Sequence, residues 1–210
     1  MIRVVTLQRW KAACETTGFL GLTRDYLRVI RGWSSWGRRY HTISHLEACL
    51  KELDTTSQLA SAPGEIELSL WFHDAVYSTW RNDNEARSAA LAATLMASKA
   101  PPALIDRITS SVLATRHQDT ELKGDTALVV DIDLAILGKS PDVYQEFERN
   151  VRREYWWVPR GRYVSARCAI LESFLSRKSI YFSSEFRTRY EATARHNLAA
   201  AIDGLRSSHG

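Results

Sequence analysis

Apolar residues recur three and four positions apart along almost the whole chain, and almost no segment alternates with the two-residue period of a half-buried strand. This spacing places the apolar side chains on one face of an α-helix, so most of the chain should form amphipathic helices that pack on one another. The 210 residues include only ten glycines and five prolines, which is sparse for the many turns of a β-sandwich or barrel. An all-α, single-domain helical bundle is therefore the predicted fold class.

Start and stop signals divide this pattern into about nine or ten helices of normal length. The predicted segments are Leu7 to Phe19, Thr23 through Ile30, Tyr40 to Leu53, Glu65 to Tyr77, Asn84 to Lys99, Pro102 through Leu113, 124 to 138, Pro141 to Trp157, Ser165 to Arg177 and Ser184 to Leu205. Residues 124–138 are ambiguous, because Val-Val-Asp-Ile-Asp could be a strand, but their length and apolar density favour a buried helix. No linker separates the segments, so one domain over residues 1–210 is expected, with the helices of 141–207 packed on a core at about 38–137.

Charge and cysteine content limit the function classes. The 28 Lys and Arg residues exceed the 24 Asp and Glu residues by four, an excess that suits an anionic substrate but is small for a nucleic-acid binder. Cys14, Cys49 and Cys168 lie far apart without a C-x-x-C pair, so neither a disulfide framework nor a zinc ribbon is expected. The N-terminal stretch is too polar for a signal peptide, and no run approaches the roughly 18 apolar residues of a membrane span. We expect a cytoplasmic protein that contacts neither membrane nor nucleic acid.

A His-Asp pair occupies a position that otherwise has the composition of a core. His73 and Asp74 stand inside the apolar run from Trp71 to Tyr77, where burying an aspartate is costly unless something compensates its charge. A metal cation would compensate it directly. A buried His-Asp pair or a capped helix end is the alternative, and for the dipeptide alone it is the more common explanation.

Two histidines lie four residues apart upstream of this pair. His41 and His45 would share one face of the predicted helix, where both could bind a metal, or one could bind it while the other reaches the substrate. Thr42 stands where a zincin protease needs glutamate, which disfavours protease chemistry. A surface or capping role explains an isolated pair of this kind about as often.

Two aspartates lie in the apolar run downstream. Asp131 and Asp133 are two positions apart, so on a helix their side chains diverge by about 200°. Only one of them is therefore expected to face a given ion. The other would cap a helix, pair with an arginine or meet solvent, and the spacing does not say which is which.

The order His, His-Asp, Asp on three core-like segments resembles the HD superfamily of metal-dependent phosphohydrolases, and in particular its bacterial branch of predicted metal-dependent HD phosphohydrolases. The strings that carry the resemblance cover nearly the whole chain from Arg38 to Leu205 and are RRYHTISH, WFHDAVY, DNEARSA, DIDLAILG and ARHNL. In that family an early His, the adjacent His-Asp pair and a distant Asp hold the metal. The resemblance implies the ligand set His45, His73, Asp74 and Asp133, with Asp131 as the alternative for the last.

Catalytic roles follow from a second likeness. YHTISH is similar to the YHNxxH string of cyclic-nucleotide phosphodiesterases, which implies His41 as the general acid and His45 as a ligand, although Thr42 replaces the asparagine. Asp74 would help to orient the attacking water. Some HD enzymes use a further acid after the His-Asp helix for this purpose, which implies Glu85; a plain position in the first turn of a helix capped by Asn84 explains Glu85 equally well.

The expected cofactor is a divalent metal ion, because imidazoles and carboxylates form a mixed N/O set that suits Mn, Fe, Co, Ni, Zn or Mg. Arg39 first, then Arg116 and His117, are the predicted substrate contacts, since a guanidinium fork matches phosphate oxygens. Cys49 lies four residues after His45 and fits a ligand or a small core residue equally. The late string REYWWVPRGRY could stack a base or pack an outer layer.

The resemblance implies hydrolysis of a phosphomonoester or phosphodiester, of a nucleotide or a similar small molecule. The partner expected is thus a small phosphorylated substrate, and the sequence leaves room for a homo-oligomer. The alternative is a catalytically silent module of the HD fold that binds nucleotides or regulates another protein.

Overall fold

The computed structural model describes residues 4–118 and 121–207, and these form ten α-helices with two short 3₁₀ segments. The helices are α1 (Leu7–Thr17), α2 (Thr23–Trp33), α3 (Ile43–Thr56), α4 (Pro63–Phe72), α5 (Asn84–Met96), α6 (Pro102–Ala114), α7 (Gly124–Asp133), α8 (Pro141–Glu154), α9 (Arg160–Leu175) and α10 (Ser184–Ser207). No strand occurs in these described ranges, which confirms the predicted all-α class. None of the helices in the same ranges combines the length and apolar content needed to cross a membrane.

Chain contacts divide the helices into two compact units, Met1–Asp133 and Leu134–Gly210. The first unit contains α1 to α7, and the second contains α8 to α10 preceded by the 3₁₀ segment Leu134–Gly138. The expectation of one domain over residues 1–210 stays a prediction.

Helix α4 is the centre of the first unit and packs against α1, α3, α5, α6 and α7. Proline at its first position suits a helix start, where the missing N–H has no helical partner. Ile66, Leu70 and Phe72 are at most 1% exposed, and every residue from Leu68 to Phe72 is buried. The C-terminal end of α4 therefore delivers the next residues, His73 and Asp74, into the interior of the unit.

The end of α2 lies directly against the chain that follows α4. A Cβ atom at Gly32 would stand 2.0 Å from the Ala75 carbonyl oxygen, so only a glycine permits this approach. The Trp33 indole N–H donates to the Trp71 carbonyl at 2.9 Å. Together these contacts fix the last turn of α4 and the residues after it.

In the second unit, the 3₁₀ segment is held against α10. Asn197 Nδ2 donates to the carbonyls of Leu137 and Lys139 at 2.8 and 2.9 Å. Gly138 lies so close to Tyr190 that a Cβ at position 138 would stand 2.4 Å from the tyrosine Cβ. Helix α10 packs in turn on α8 and α9.

Several predicted helix boundaries are wrong. In the second unit, the helix predicted to begin at Ser165 begins at Arg160. Three other differences lie at the proposed ligands. The helix predicted to begin at Tyr40 begins at Ile43, and the one predicted to continue to Tyr77 ends at Phe72. The run 124–138, predicted as one helix, is α-helical only to Asp133 and continues as a 3₁₀ segment.

Arg38 explains why the helices neither begin at Tyr40 nor continue to Tyr77. Its Nη1 donates to the carbonyls of His41 and Asp74 at 2.9 and 2.7 Å, and its Nη2 donates to the Ala75 carbonyl at 3.3 Å. A buried guanidinium satisfies carbonyls that would otherwise need helical N–H partners. The chain can therefore leave the helix at both places without unsatisfied polar groups.

Candidate metal centre

Three segments of the first unit meet at a cluster of imidazole and carboxylate groups. His45 comes from the first turn of α3, His73 from the residue after α4, and Asp133 from the last residue of α7. His45 Nε2 lies 3.2 Å from His73 Nε2 and 3.0 Å from Asp133 Oδ1. His73 Nε2 lies 3.5 Å from the same carboxylate oxygen. The two histidines are buried and the Asp133 side chain is 13% exposed, so the three donor atoms converge at a largely enclosed point.

Two further side chains border this point. Asp74 Oδ2 lies 3.4 Å from His73 Nε2, and Cys49 Sγ lies 3.7 Å from His45 Nε2, one turn along α3. The donor atoms of His45, Cys49, His73 and Asp133 all lie within 4.8 Å of one another. Nitrogen, oxygen and sulfur donors at such separations could hold a metal ion.

Of the two candidate acids on α7, Asp133 is the one that the fold brings to the histidines. Asp131 is fully buried two residues earlier, about 200° around the helix. The sequence left this choice open, and only the packing of α7 against α3 and α4 decides it.

The His73 ring is held in one orientation. Its Nδ1 lies 2.8 Å from the Leu70 carbonyl oxygen, and because a carbonyl only accepts, Nδ1 carries the proton and donates it. Nε2 is thereby the nitrogen that faces the cluster, as in metal-ligating histidines whose other nitrogen is bonded to the protein. The Trp33 ring lies 5.2 Å from the His73 ring and the Tyr40 ring 4.7 Å from the His45 ring, so aromatic groups wall the cluster.

The charges of the cluster are strongly coupled. Burial lowers the pKa of His45. Burial acts in the same direction on His73, but the charges of Asp74 and Asp133 outweigh it and raise the His73 pKa to about 9. Burial alone would raise the pKa of Asp133, yet His73, with hydrogen bonds from the histidines, holds it well below its usual value. Burial raises the pKa of the Cys49 thiol far above its ordinary range, so this group is neutral.

His117 supports Asp133 from the other side. Its Nε2 lies 3.1 Å from Asp133 Oδ2, the oxygen that faces away from His45. The His117 backbone has φ of 57°, a left-handed conformation that is uncommon for residues other than glycine and is kept where surrounding contacts enforce it. His117, predicted to contact substrate, thus lies in the structure beside the carboxylate.

His41 lies next to the cluster but outside it. The prediction that it shares a helical face with His45 is wrong, because it precedes α3. Its ring nevertheless lies 6.2 Å from the His45 ring, centre to centre, and stacks on Tyr77 at 3.9 Å. The half-buried ring is thus oriented by an aromatic neighbour, while Arg38 holds its carbonyl.

The remaining predicted residues lie nearer the surface. Glu85 stands in the first turn of α5, with Oε2 at 4.0 Å from Arg116 Nε. The helix cap is Asp83 rather than Asn84, whose amide instead closes a loop by pairing with both backbone groups of Ser78, at 2.9 and 3.1 Å. Arg39 is exposed.

Sequence reasoning missed the roles of three side chains. Trp33 and Tyr77 stand against His73 and His41, and buried Arg38 anchors the loops that carry both histidines. Tyr77 belongs to the same WFHDAVY string as the His-Asp pair, so its position was the available signal. Nothing in the sequence distinguishes buried Arg38 from its exposed neighbour.

No family model matches this chain, and neither a curated protein nor a solved structure matches it. Membership of the HD superfamily therefore stays a prediction from the sequence strings. The functional interpretation depends on the geometry of the cluster.

Proposed function

We propose that this protein is a metal-dependent phosphohydrolase of the HD type, which cleaves a phosphomonoester or phosphodiester of a nucleotide or a similar small molecule. One observation carries the proposal: two imidazole nitrogens and a carboxylate oxygen, from His45, His73 and Asp133, lie 3.0 to 3.5 Å apart in a largely enclosed site. Such a convergence of donors requires positive charge among them, which the His73 proton supplies in the metal-free fold and a cation would supply once bound.

The donor set fits a divalent cation. His45, His73 and Asp133 would hold it, and Asp74, with Oδ2 at 3.4 Å from His73 Nε2, completes the set. When bound, the cation supplies Lewis acidity that polarises a phosphoryl oxygen and lowers the pKa of a water. The Cys49 thiol, with Sγ at 3.7 Å from His45 Nε2, borders the same point and could add a sulfur ligand.

His41 is the proposed general acid. It is half-buried, its ring is fixed against Tyr77, and it stands beside the proposed ligands without belonging to them. An imidazole in such a position can protonate the departing alkoxide of a phosphoester. Asp74 is proposed to orient the attacking water, with Glu85 in the same role from the start of α5.

The substrate phosphate is proposed to meet Arg39 and Arg116. Both are exposed, and they flank the segments that carry His41 and His117. Guanidinium groups bind phosphate oxygens in pairs. We assign His117 a supporting role, because its Nε2 already contacts Asp133.

The test is metal analysis of protein purified without chelator, followed by hydrolysis assays. Phosphomonoesters and cyclic and linear phosphodiesters of nucleotides would be supplied with Mn or Ni, and the products quantified. We expect bound metal, turnover of at least one class and loss of turnover on chelation. His73→Ala should empty the site, whereas His41→Ala should keep the metal and slow hydrolysis by about 100-fold or more.

Gln58→Ala, at an exposed side chain of the 3₁₀ turn Ser57–Leu59, is the control and should change neither quantity. Metal without turnover on any substrate would favour the alternative of a silent module of the HD fold that binds nucleotides or regulates another protein. Absence of metal from a well-folded sample would contradict both.

A further inference from the structure

A second candidate site lies entirely within the second unit. A cavity of about 780 Å³ opens between α8, α9 and α10. Ligand pockets of proteins have volumes of about 300 to 1,000 Å³, so this cavity is large enough for a nucleotide. None of the proposed metal ligands contributes to it.

The lining of the cavity is strongly basic. Four arginines line it, three from α8 and one from the start of α9: Arg149, Arg152, Arg153 and Arg160. Among the residues that the structure describes, Glu148 is the one acid in the lining. It is already bound by Arg167 at 2.6 and 3.0 Å and by the Tyr144 hydroxyl at 2.6 Å. The charge that the cavity offers to a ligand is therefore positive.

These arginines differ in the contacts that their guanidinium groups make with the protein. Arg152 is fixed, because it donates to the carbonyls of Tyr155 and Val158 and lies 4.5 Å over the Tyr163 ring. Arg149 and Arg153 are exposed, and within 4–118 and 121–207 neither forms an ion pair with an acid. Two guanidinium groups at one cavity, with no protein carboxylate to neutralise them, are what a phosphate group requires.

Helix α10 contributes small apolar residues to the cavity beside the polar His196 and Asn197. Ala200, Ala201 and Gly204 of α10 line it, with Val164 of α9. A Cβ atom at Gly204 would meet nothing within 4 Å, so the absence of side chains here leaves open space rather than a packed contact. Such a wall can cover a flat apolar group.

We propose that this cavity binds an organic phosphate, up to the size of a nucleotide, that carries a flat and largely apolar ring. The phosphate would contact Arg149 and Arg153, and the body would lie against the wall of Ala200, Ala201 and Gly204. The concave shape favours a small ligand over a nucleic-acid strand, which would need an extended basic surface. The string REYWWVPRGRY, which the metal site does not use, supplies Arg153, Arg160 and Tyr163 to this cavity.

Binding to the full-length protein would be measured by calorimetry with AMP and phenyl phosphate, and with adenosine as the probe that lacks phosphate. Chelator would be present so that no metal draws the phosphates to the first unit. We expect both phosphates to bind and adenosine to bind at least about tenfold more weakly, since charge-assisted hydrogen bonds contribute most of the affinity. Arg149→Gln and Arg153→Gln should each weaken AMP binding by about tenfold.

Arg162→Gln is the matched control, because Arg162 is an exposed arginine of α9 outside the cavity lining. It should bind AMP as the wild type does, and so should His73→Ala, which separates this site from the proposed metal site. Ala201→Leu should block binding without removing any charge.

Three results would overturn the proposal. Both phosphates could fail to bind at about 10 mM, where even a weak site is filled. Arg162→Gln could lose as much affinity as the cavity variants, which would indicate diffuse attraction. A single-stranded oligonucleotide could bind more tightly than AMP with a steep salt dependence, which would indicate a nucleic-acid surface.

Discussion

The two units place polar side chains in opposite environments. In the first unit, His45, His73 and Asp133 lie against one another, largely removed from water. In the second, Arg149 and Arg153 stand in water around an open cavity. A buried cluster of this kind needs a compensating charge to be stable. Hydrated arginines lower the stability of the fold little and stay available to a ligand.

The difference also determines what a sequence can reveal. In the first unit, His73, Asp74 and Asp133 interrupt apolar runs and are therefore visible in the sequence, whereas buried Arg38 is not. Each wall of the cavity consists of residues that are ordinary on a helix surface, such as arginine and alanine. Only the packing of three helices makes them a site.

The largest expected effect separates the two acids of α7. Asp133→Asn should weaken metal binding by more than about 100-fold, since even the outer partners of metal ligands contribute about 10- to 100-fold. Asp131→Asn should weaken it by less than about tenfold but lower the melting temperature, because Asp131 is fully buried. Metal titration and thermal unfolding would check both. Equal loss of metal in the two variants would contradict the assignment of Asp133.

The second prediction compares how the two sites respond to pH. The pKa of His73 is raised to about 9 in the metal-free fold, so a metal must displace its proton and affinity should rise about tenfold per pH unit up to about 9. Arginines stay charged, so AMP binding should change by less than about twofold between pH 7 and 8.

The sign for stability is opposite to that for metal binding. A histidine with a raised pKa stabilises the fold below its unfolded pKa of about 6.5 and loses that contribution as the pH rises through about 9. The metal-free protein should therefore melt at lower temperature at pH 9 than at pH 6.5, while the stabilisation gained from metal grows. A metal affinity that is flat between pH 7 and 8 would show that His73 carries no proton to displace.

The third prediction concerns the support of the buried cluster. Arg38→Lys should lower the free energy of unfolding by about 1 to 3 kcal/mol, because one ammonium cannot replace the guanidinium fork on three carbonyls. Hydrolysis should fall by about tenfold with metal retained. Arg39→Lys, at the exposed neighbour, should change stability by less than about 0.5 kcal/mol. Denaturant unfolding would measure the stabilities of both variants. Equal stabilities of Arg38→Lys and Arg39→Lys would contradict the anchoring role of Arg38.

The smallest expected effect is that of salt. Raising NaCl from about 50 to 200 mM should weaken AMP binding to the exposed arginines by about threefold, and metal binding to the enclosed cluster by less than about twofold. Titrations at the two concentrations would measure both. Similar salt dependence at the two sites would mean that their environments are less different than the structure indicates.

Helical periodicity and turn signals were enough to predict the all-α class and most helix starts, such as those at Asn84, Pro102 and Pro141. The resemblance to the HD superfamily implied that His45, His73 and an aspartate of the run 124–138 meet, and the structure brings these side chains together. Membership of a family and catalysis stay predictions.

What could not be predicted depends on tertiary contacts. The end of α4 at Phe72 depends on Arg38, which binds the Asp74 and Ala75 carbonyls 36 and 37 positions away in the sequence. The choice between Asp131 and Asp133 depends on how α7 is rotated against its neighbours. Both features depend on contacts between segments that are distant in the sequence, so neither can be predicted from hydrophobic periodicity.

The close approach of Gly32 to the Ala75 carbonyl has a consequence for genetic variation. Even a methyl group at position 32 would displace the backbone segment that carries His73 and Asp74, although glycine has no side chain that could take part in catalysis. In a library of random mutants, position 32 should therefore be among the positions of the chain that tolerate the fewest substitutions. A screen for lost activity would identify it together with the histidines.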